Sequence, residues 1–360
     1  MKRFAGYLGV ALILLGVAIG ALPPAAHAED VDTGEVGKSS GLSITPRKNY
    51  TIKPGETITD TLIIGNLDHD NKLTVTLRMI DFSFYDESGT PKLHISADLP
   101  QTPWSLRPFT TLPETVEVPP GKRVSVDYSI KIPENLGAGS YYSAIMYQAG
   151  GSNGGNVGLN ASGVTLVFVS VPGIVNEKLT LQKFGAYASE DNGVTGKYIF
   201  IATMGSPKMV AFTVKNEGNV FEAPAGNIVV KNMFGKEVAD IKANPNSSLA
   251  LIGQTRLFAQ CIRTVQQEVE FLGGKSKNTA CVDPKLWPGR YTAELNVYYG
   301  QNGNQTREII ATATFWILPW WFLVILAALL ALLAYGIWRL QQKLRAIANG
   351  TYKPRRRGGR

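Results

Sequence analysis

Val124–Ile132 reads VSVDYSIKI, in which Val124, Val126, Tyr128, Ile130 and Ile132 alternate with Ser125, Asp127, Ser129 and Lys131. Successive side chains of a strand point to opposite faces, so this run predicts a strand with one face on a core and the other in water. The same period of two recurs in Leu73, Val75, Leu77 and Met79, and again in Tyr291, Ala293, Leu295 and Val297. Val164–Val171 (VTLVFVSV) is almost continuously apolar, the pattern of a strand covered on both faces. Turn signals punctuate these runs at Pro54-Gly55, Ser88-Gly89, Pro120-Gly121, Asn192-Gly193 and Pro288-Gly289. No amphipathic helix interrupts them. The expected class is all-β: two tandem immunoglobulin-like β-sandwiches, at 42–173 and 174–315, after a flexible, acidic leader at 29–41.

The chain repeats itself. TDTLIIGN ends at Asn66 and MVAFTVKN at Asn216, a separation of 150 residues. Gly139-x-Tyr141 and Gly289-x-Tyr291 stand at the same separation. Gly121-Lys122-Arg123 corresponds more loosely to Gly253-Gln254-Thr255-Arg256, and the second copy carries an insertion after it. That insertion holds both cysteines of the chain, Cys261 and Cys281. In an extracytoplasmic domain an even pair predicts a disulfide, here one that staples an insertion no core would order. Metal ligation is disfavoured, because no histidine lies in the second copy to complete a tetrahedral set.

Both termini predict a membrane address. Lys2 and Arg3 precede an apolar stretch, Tyr7–Leu22, and Ala26-His27-Ala28 offers a small-x-small cleavage site. A signal peptide over 1–28, cleaved after Ala28, is expected, with an uncleaved anchor as the alternative. At the other end, 316–338 (WILPWWFLVILAALLALLAYGIW) holds no charge and is long enough for a transmembrane helix. Trp316, Trp320, Trp321, Tyr335 and Trp338 flank it, where amphipathic rings favour the membrane interface. The net charge of +8 is misleading: eight of the 36 bases lie in the tail 339–360, which has no acid, and two in the first 28 residues. The remainder is close to neutral, so the basic balance reads as a positive-inside signal and not as a nucleic-acid footprint. The expectation is a single-pass type I cell-membrane protein with an extracytoplasmic ectodomain, a cytoplasmic tail and the lipid bilayer as a partner through its helix.

Catalytic patterns are weak. Gly150-Gly151-Ser152-Asn153-Gly154 matches G-x-S-x-G, but a glycine-rich run follows it where a nucleophile elbow needs a helix. His69 sits in a polar turn (NLDHDNK) and His94 in a strand-like context. Glu190-Asp191 and Asp86-Glu87 are paired carboxylates in turns, with no apolar burial to raise a pKa. No phosphate loop or dinucleotide fingerprint appears. The reading is a non-enzyme with no cofactor and no metal. Candidate binding residues are Trp104 and Phe109 in the proline-rich stretch 99–121, with Tyr141, Tyr142 and Tyr147 beside the glycine-rich loop from Gly150.

ITPRKNYTIKPGETITDTLIIGNLD and VPPGKRVSVDYSIKIPENLGAGSYYSAIMY resemble the first immunoglobulin-like domain of bacterial WxL-interacting proteins. That resemblance implies a signal peptide, two such domains, a transmembrane helix and a short basic tail. It also implies a first domain that binds peptidoglycan and a second that binds a host or partner protein. The Cys261–Cys281 insertion has no place in that pattern. The expected function is adhesion or scaffolding: binding cell-wall polymer or a surface protein. The alternative is a chaperone-like assembly factor that captures subunits by β-strand addition, with an envelope hydrolase the least favoured reading.

Overall fold

A computed structural model describes residues 42–96, 98–150, 162–189, 195–271, 274–300 and 307–349. The expected signal peptide and leader, Ser152 with its glycine-rich surroundings, Glu190-Asp191, Asn192-Gly193 and the tail beyond Asn349 lie outside them. Two β-sandwiches and one long helix make up the rest.

In the first sandwich, β1 (Leu42–Ser43), β3 (Thr57–Asn66), β9 (Arg123–Lys131) and β7 (Thr110–Thr111) form one sheet in the order β1-β3-β9-β7. The facing sheet has the order β2-β11-β10-β4-β8, from β2 (Arg47–Thr51), β11 (Ser162–Val171), β10 (Gly139–Gly150), β4 (Leu73–Ile80) and β8 (Thr115–Val118). The chain therefore changes sheets between β1 and β2. β1 pairs antiparallel with β3, and β2 lies parallel to β11. A short hairpin, β5 (Phe82–Phe84) with β6 (Pro91–Leu93), leaves the end of β4.

The second sandwich repeats the plan. β12 (Leu179–Ser189), β13 (Gly196–Tyr198), β15 (Met209–Asn216) and β18 (Thr255–Cys261) form a sheet ordered β13-β12-β15-β18. Opposite it lie β14 (Ile201–Ala202), β22 (Arg307–Ile317), β21 (Gly289–Tyr299), β16 (Ala225–Asn232) and β17 (Glu237–Lys242), in the order β14-β22-β21-β16-β17. β14 again runs parallel to the last strand, β22.

The 150-residue repeat has a physical basis. Asn66 and Asn216 are both buried. The Asn66 amide donates to the carbonyls of Asn71 and Val118, and that of Asn216 to Val220 and Ala250. Each side-chain oxygen accepts the N–H two residues on, from Asp68 and Gly218. The backbone N–H groups of Asn66 and Asn216 donate to Lys122 and Gln254, which sets the loose correspondence at Gly121 and Gly253 in register. Tyr141 and Tyr291 each donate a hydroxyl hydrogen bond to the carbonyl four residues back, Gly137 and Trp287, both at 2.9 Å. This is the tyrosine corner of immunoglobulin-like folds, here built twice.

Strand alternation fills each core as the sequence predicts: Val126, Tyr128 and Ile130 of β9 face Leu73, Val75 and Leu77 of β4 in the first. In β11, Thr165, Val167, Val169 and Val171 point inward. Phe168 on its outer face is covered by the second domain, so at this point of the strand both faces are buried.

Cys261 and Cys281 form a disulfide with Cα atoms 5.3 Å apart. It closes the base of the insertion, a hairpin of β19 (Thr264–Phe271) and β20 (Gly274–Cys281) that, among the described residues, pairs only with itself. The helix α1 spans Trp320–Ala348, later than the sequence suggested at its start and well into the basic tail at its end. Trp316 and Ile317 still belong to β22, because Arg290 and Gly289 pair with them and the Trp316 N–H donates to Phe200. Pro319, which cannot donate to a strand ladder, then stands just before the helix. Trp320–Trp338 is wholly uncharged and none of it is buried, and α1 is long and apolar enough to cross a membrane.

Candidate strand-docking cleft

The two sandwiches meet through an apolar junction. Ile80, Phe82, Tyr142, Ala144 and Phe168 of the first pack against Phe221, Ala223, Leu249 and Leu251 of the second. Phe82 and Phe168 meet edge to face at 5.9 Å, and Phe168 meets Phe221 the same way at 5.4 Å. Backbone and side-chain hydrogen bonds reinforce it. Ser140 N–H donates to the Asn219 carbonyl at 3.0 Å, Phe84 N–H to Gln254 Oε1 at 2.7 Å and Leu257 N–H to the Glu87 carbonyl at 2.7 Å. The Arg256 guanidinium lies 4.8 Å from the Phe84 ring centre, and burial lowers its pKa. Directed bonds at three places restrict rotation in a way an apolar contact alone would not.

This junction accounts for most of the aromatic candidates. Tyr142 is fully buried and stacks on Trp104 at 5.6 Å, and Tyr147 is buried in the first core with its hydroxyl on Thr165. Phe109 packs against that core, and Tyr141 is committed to its corner. They do not form a common exposed surface. Around Tyr142 and Ala144 both faces of β10 are covered, one by the sandwich core and one by the junction with the second domain. The Asp68–Asn71 turn beside His69 is satisfied internally, with Asp68 Oδ1 accepting from the N–H groups of Asp70 and Asn71. His94 Nε2 lies 3.2 Å from Ser83 Oγ.

Beside the junction runs a cleft of about 400 Å³. Arg47, Asn49, Thr51 and Ser170 line one wall, with Phe221, Ala223, Ser247 and Leu249 of the second domain on the other. Its floor strand, β2, is the terminal strand of its sheet. Leu166 N–H donates to the Pro46 carbonyl and Ile52 N–H to that of Ser170. In a parallel ladder this parity turns the peptide groups of residues 46, 48, 50 and 52 toward β11, and those of Arg47, Asn49 and Thr51 outward. Among the described residues, no strand pairs with that outer edge.

A five-residue parallel edge strand is a weak element, yet β2 is tied down from beneath. Lys48 and Tyr50 point inward to the opposite sheet. Lys48 Nζ donates to Asp60 Oδ2 at 2.8 Å and to the Thr61 carbonyl at 3.2 Å, while the Tyr50 hydroxyl bonds both Asp60 and Tyr128. Burial alone would raise the Asp60 pKa, but the hydrogen bonds from Lys48, Tyr50 and the Thr61 N–H outweigh it and bring it down to about 2. Burial, with the nearby Asp60 charge, pushes Tyr128 up to about 12. The cluster therefore holds an ionised carboxylate between two neutral phenols and an ammonium, and clamps β2 across the sandwich.

Arg47 is the chemically open group of the cleft. Its guanidinium lies 4.7 Å from the Phe168 ring centre, Nε donates to Asn49 Oδ1 at 2.9 Å, and burial lowers its pKa. Among the described residues no carboxylate pairs with it. An exposed cation without a carboxylate partner, beside unpaired peptide groups, suits an extended chain that brings an anion. Sequence reasoning missed this site. RKNYT offers only a weak local cue, one cation two residues before an asparagine on a short alternating strand.

No family model matches this chain, and no curated protein matches it. Among solved structures it is similar to a class 5 fimbriae chaperone, CfaA, at 10% identity over 75% of this chain and 98% of that one, with a TM-score of 0.35. It is similar to the SafB chaperone solved with the SafA pilin from Salmonella enterica at 7% identity, covering 76% and 100% of the two chains, TM-score 0.33. The E. coli chaperone DraB gives 11% identity, 76% and 99% coverage and a TM-score of 0.31.

Proposed function

We propose that this chain is a membrane-tethered assembly or scaffold protein of a bacterial envelope. It captures an extended segment of a surface protein by adding that segment as a strand to β2. The observation that carries this reading is the pairing, in one cleft, of an open strand edge with the exposed and carboxylate-free Arg47 over the Phe168 ring. Main-chain hydrogen bonds along Arg47, Asn49 and Thr51 supply affinity for any extended chain. Phe221 and Leu249 select apolar side chains, and Arg47 selects a carboxylate at the end or side of the segment. The clamp at Asp60 keeps the edge in place before the partner arrives, which limits the ordering cost of binding. The helix α1 holds the apparatus at a bilayer, with the basic tail inside and both sandwiches outside. The role is one of binding, without catalysis.

The test uses the full chain in detergent and a fluorescent peptide of alternating apolar residues, in two forms: free C-terminal carboxylate and amide. A charge-assisted hydrogen bond of about 1.5–3 kcal/mol predicts roughly 10- to 100-fold tighter binding of the carboxylate form. Arg47→Ala removes that difference, and Asn49→Pro, which deletes an outward N–H, weakens both forms. Equal binding of the two peptides, unaffected by either substitution, rejects strand addition at β2. Co-sedimentation with cell-wall sacculi that is indifferent to Arg47→Ala would favour a polymer ligand instead.

A further inference from the structure

The end of the second sandwich from which α1 departs is apolar in an unusual way. Three separate loops meet there. The Thr203 carbonyl accepts the Trp320 N–H at 3.3 Å, which puts Met204 beside the first residue of the helix. Gly289 pairs with Ile317, so Trp287 lies at the same end. Asn232 pairs with Tyr291, and the β16–β17 turn that follows carries Met233 and Phe234. Met233 Cε stands only 2.1 Å from where a Cβ on Gly289 would be, which ties this turn to the Trp287 loop. The side chains at these tips face water: Met204 is 99% exposed, Phe234 85%, Trp287 81% and Met233 53%. Isolated exposed apolar residues need no explanation, but a cluster of this kind marks an interaction surface.

The position of the helix says what the surface meets. A hydrocarbon core of ~30 Å takes about 20 helical residues. Counted back from Arg339, the first charge after the apolar run, that length ends at Pro319–Trp320. The headgroup zone then occupies the next ~5–8 Å outward, the depth at which Trp side chains are enriched. Met204 and Trp287 fall within it, because Thr203 accepts from Trp320 and Gly289 pairs with Ile317. Lys236 and Lys285 are exposed in the same turns and can reach lipid phosphates, with Asp283 and Glu237 as the nearby acids.

We infer that the α1-proximal end of the second sandwich seats in the lipid headgroup layer, with Met204, Phe234 and Trp287 as its inserted side chains. The domain thus rests on the bilayer and is not a free payload on a stalk. The inference depends on α1 crossing a membrane and is independent of the strand-docking proposal. Its consequence is a fixed orientation: the junction and the β2 cleft are held at a set height and angle above the lipid.

Phe234 decides the matter. Its hairpin lies two strands from β22, ~10 Å sideways from the helix root, so a sandwich hinged at Leu318–Pro319 would lift it clear. The full chain has no cysteine besides the disulfide pair, so Phe234→Cys and Met204→Cys can each carry a polarity-sensitive dye, with Tyr85→Cys on the first domain as control. All three positions are exposed, so folding is not at risk. In nanodiscs, dyes at 204 and 234 should emit to the blue of their detergent-free aqueous peptide reference. Brominated lipids should quench both roughly twofold more than the dye at 85. A dye at 234 that is quenched no more than the one at 85 overturns the inference. A blue shift at 234 without bromolipid quenching also overturns it, since the cover would then be protein.

Discussion

Glu222 is a buried titratable group at the domain junction. It sits between Phe221 and Ala223 of the junction, fully buried, with Oε2 accepting the Gly300 N–H at 3.0 Å. Burial raises its pKa, Glu177 raises it further, and the Gly300 N–H and Arg307 offset only part, leaving a value of about 7. An unfolded glutamate titrates near 4.5. The folded form therefore binds a proton more tightly, and its contribution to stability is complete below pH ~4.5 and lost as pH rises through ~7. The full loss is on the order of 3 kcal/mol. Glu222→Gln keeps an acceptor for Gly300 and removes the ionisation. At pH 5 the variant should lead the parent by under ~1 kcal/mol. At pH 8 the variant should be more stable by up to ~3 kcal/mol, or about 5–10 °C in Tm for a domain of this size. Near-UV circular dichroism melts of the full chain in detergent, from pH 5 to 9, read this directly. Parallel pH profiles for parent and variant would refute the assignment of a raised pKa to this carboxyl.

Other consequences follow from the same packing. Cys261→Ser with Cys281→Ser should cost ~3 kcal/mol in the loop-entropy account and open β19–β20 to limited proteolysis, while both sandwiches survive as protected fragments. Unchanged cleavage would show that the hairpin is held by something else. Asn216→Ala leaves the Val220 and Ala250 carbonyls and the Gly218 N–H without partners, a loss of ~2–4 kcal/mol in chemical denaturation, and Asn66→Ala should do the same to the first sandwich. Asp60→Asn tests the β2 clamp. With its pKa lowered to about 2, the carboxylate stabilises the fold above pH ~4, and that share is lost as pH falls through 2. Asp60 is a third exposed, so solvent discounts the effect to ~1 kcal/mol. The variant should lack this step in acid titration monitored by tyrosine fluorescence.

The sandwiches were legible because their signals are local. Alternation in β4, β9 and β21 needs only the neighbouring residues, and the 150-residue repeat marks the buried asparagines and tyrosine corners that close each sheet. The start of the helix was not, because Trp316 and Ile317 are apolar enough for either environment, and pairing with β21 decides for the strand. The aromatic candidates failed for a related reason. In β10 the odd residues Ile145 and Tyr147 face one core and the even residues Tyr142 and Ala144 face the other domain. Alternation cannot separate a wet face from a face buried by a distant segment. Arg47 acquires its meaning only when residues 221–249 fold across from it, which no local pattern encodes.

Site-specific photo-crosslinking from Asn49 in intact cells tests strand capture at β2 most directly, with Thr115 on the opposite edge strand β8 as the control position. The account predicts adducts at Asn49, mapped by mass spectrometry to an extended segment of alternating apolar residues in a surface protein, and their loss in Arg47→Glu. Adducts at Asn49 no more frequent than at Thr115, or unchanged by Arg47→Glu, would contradict it.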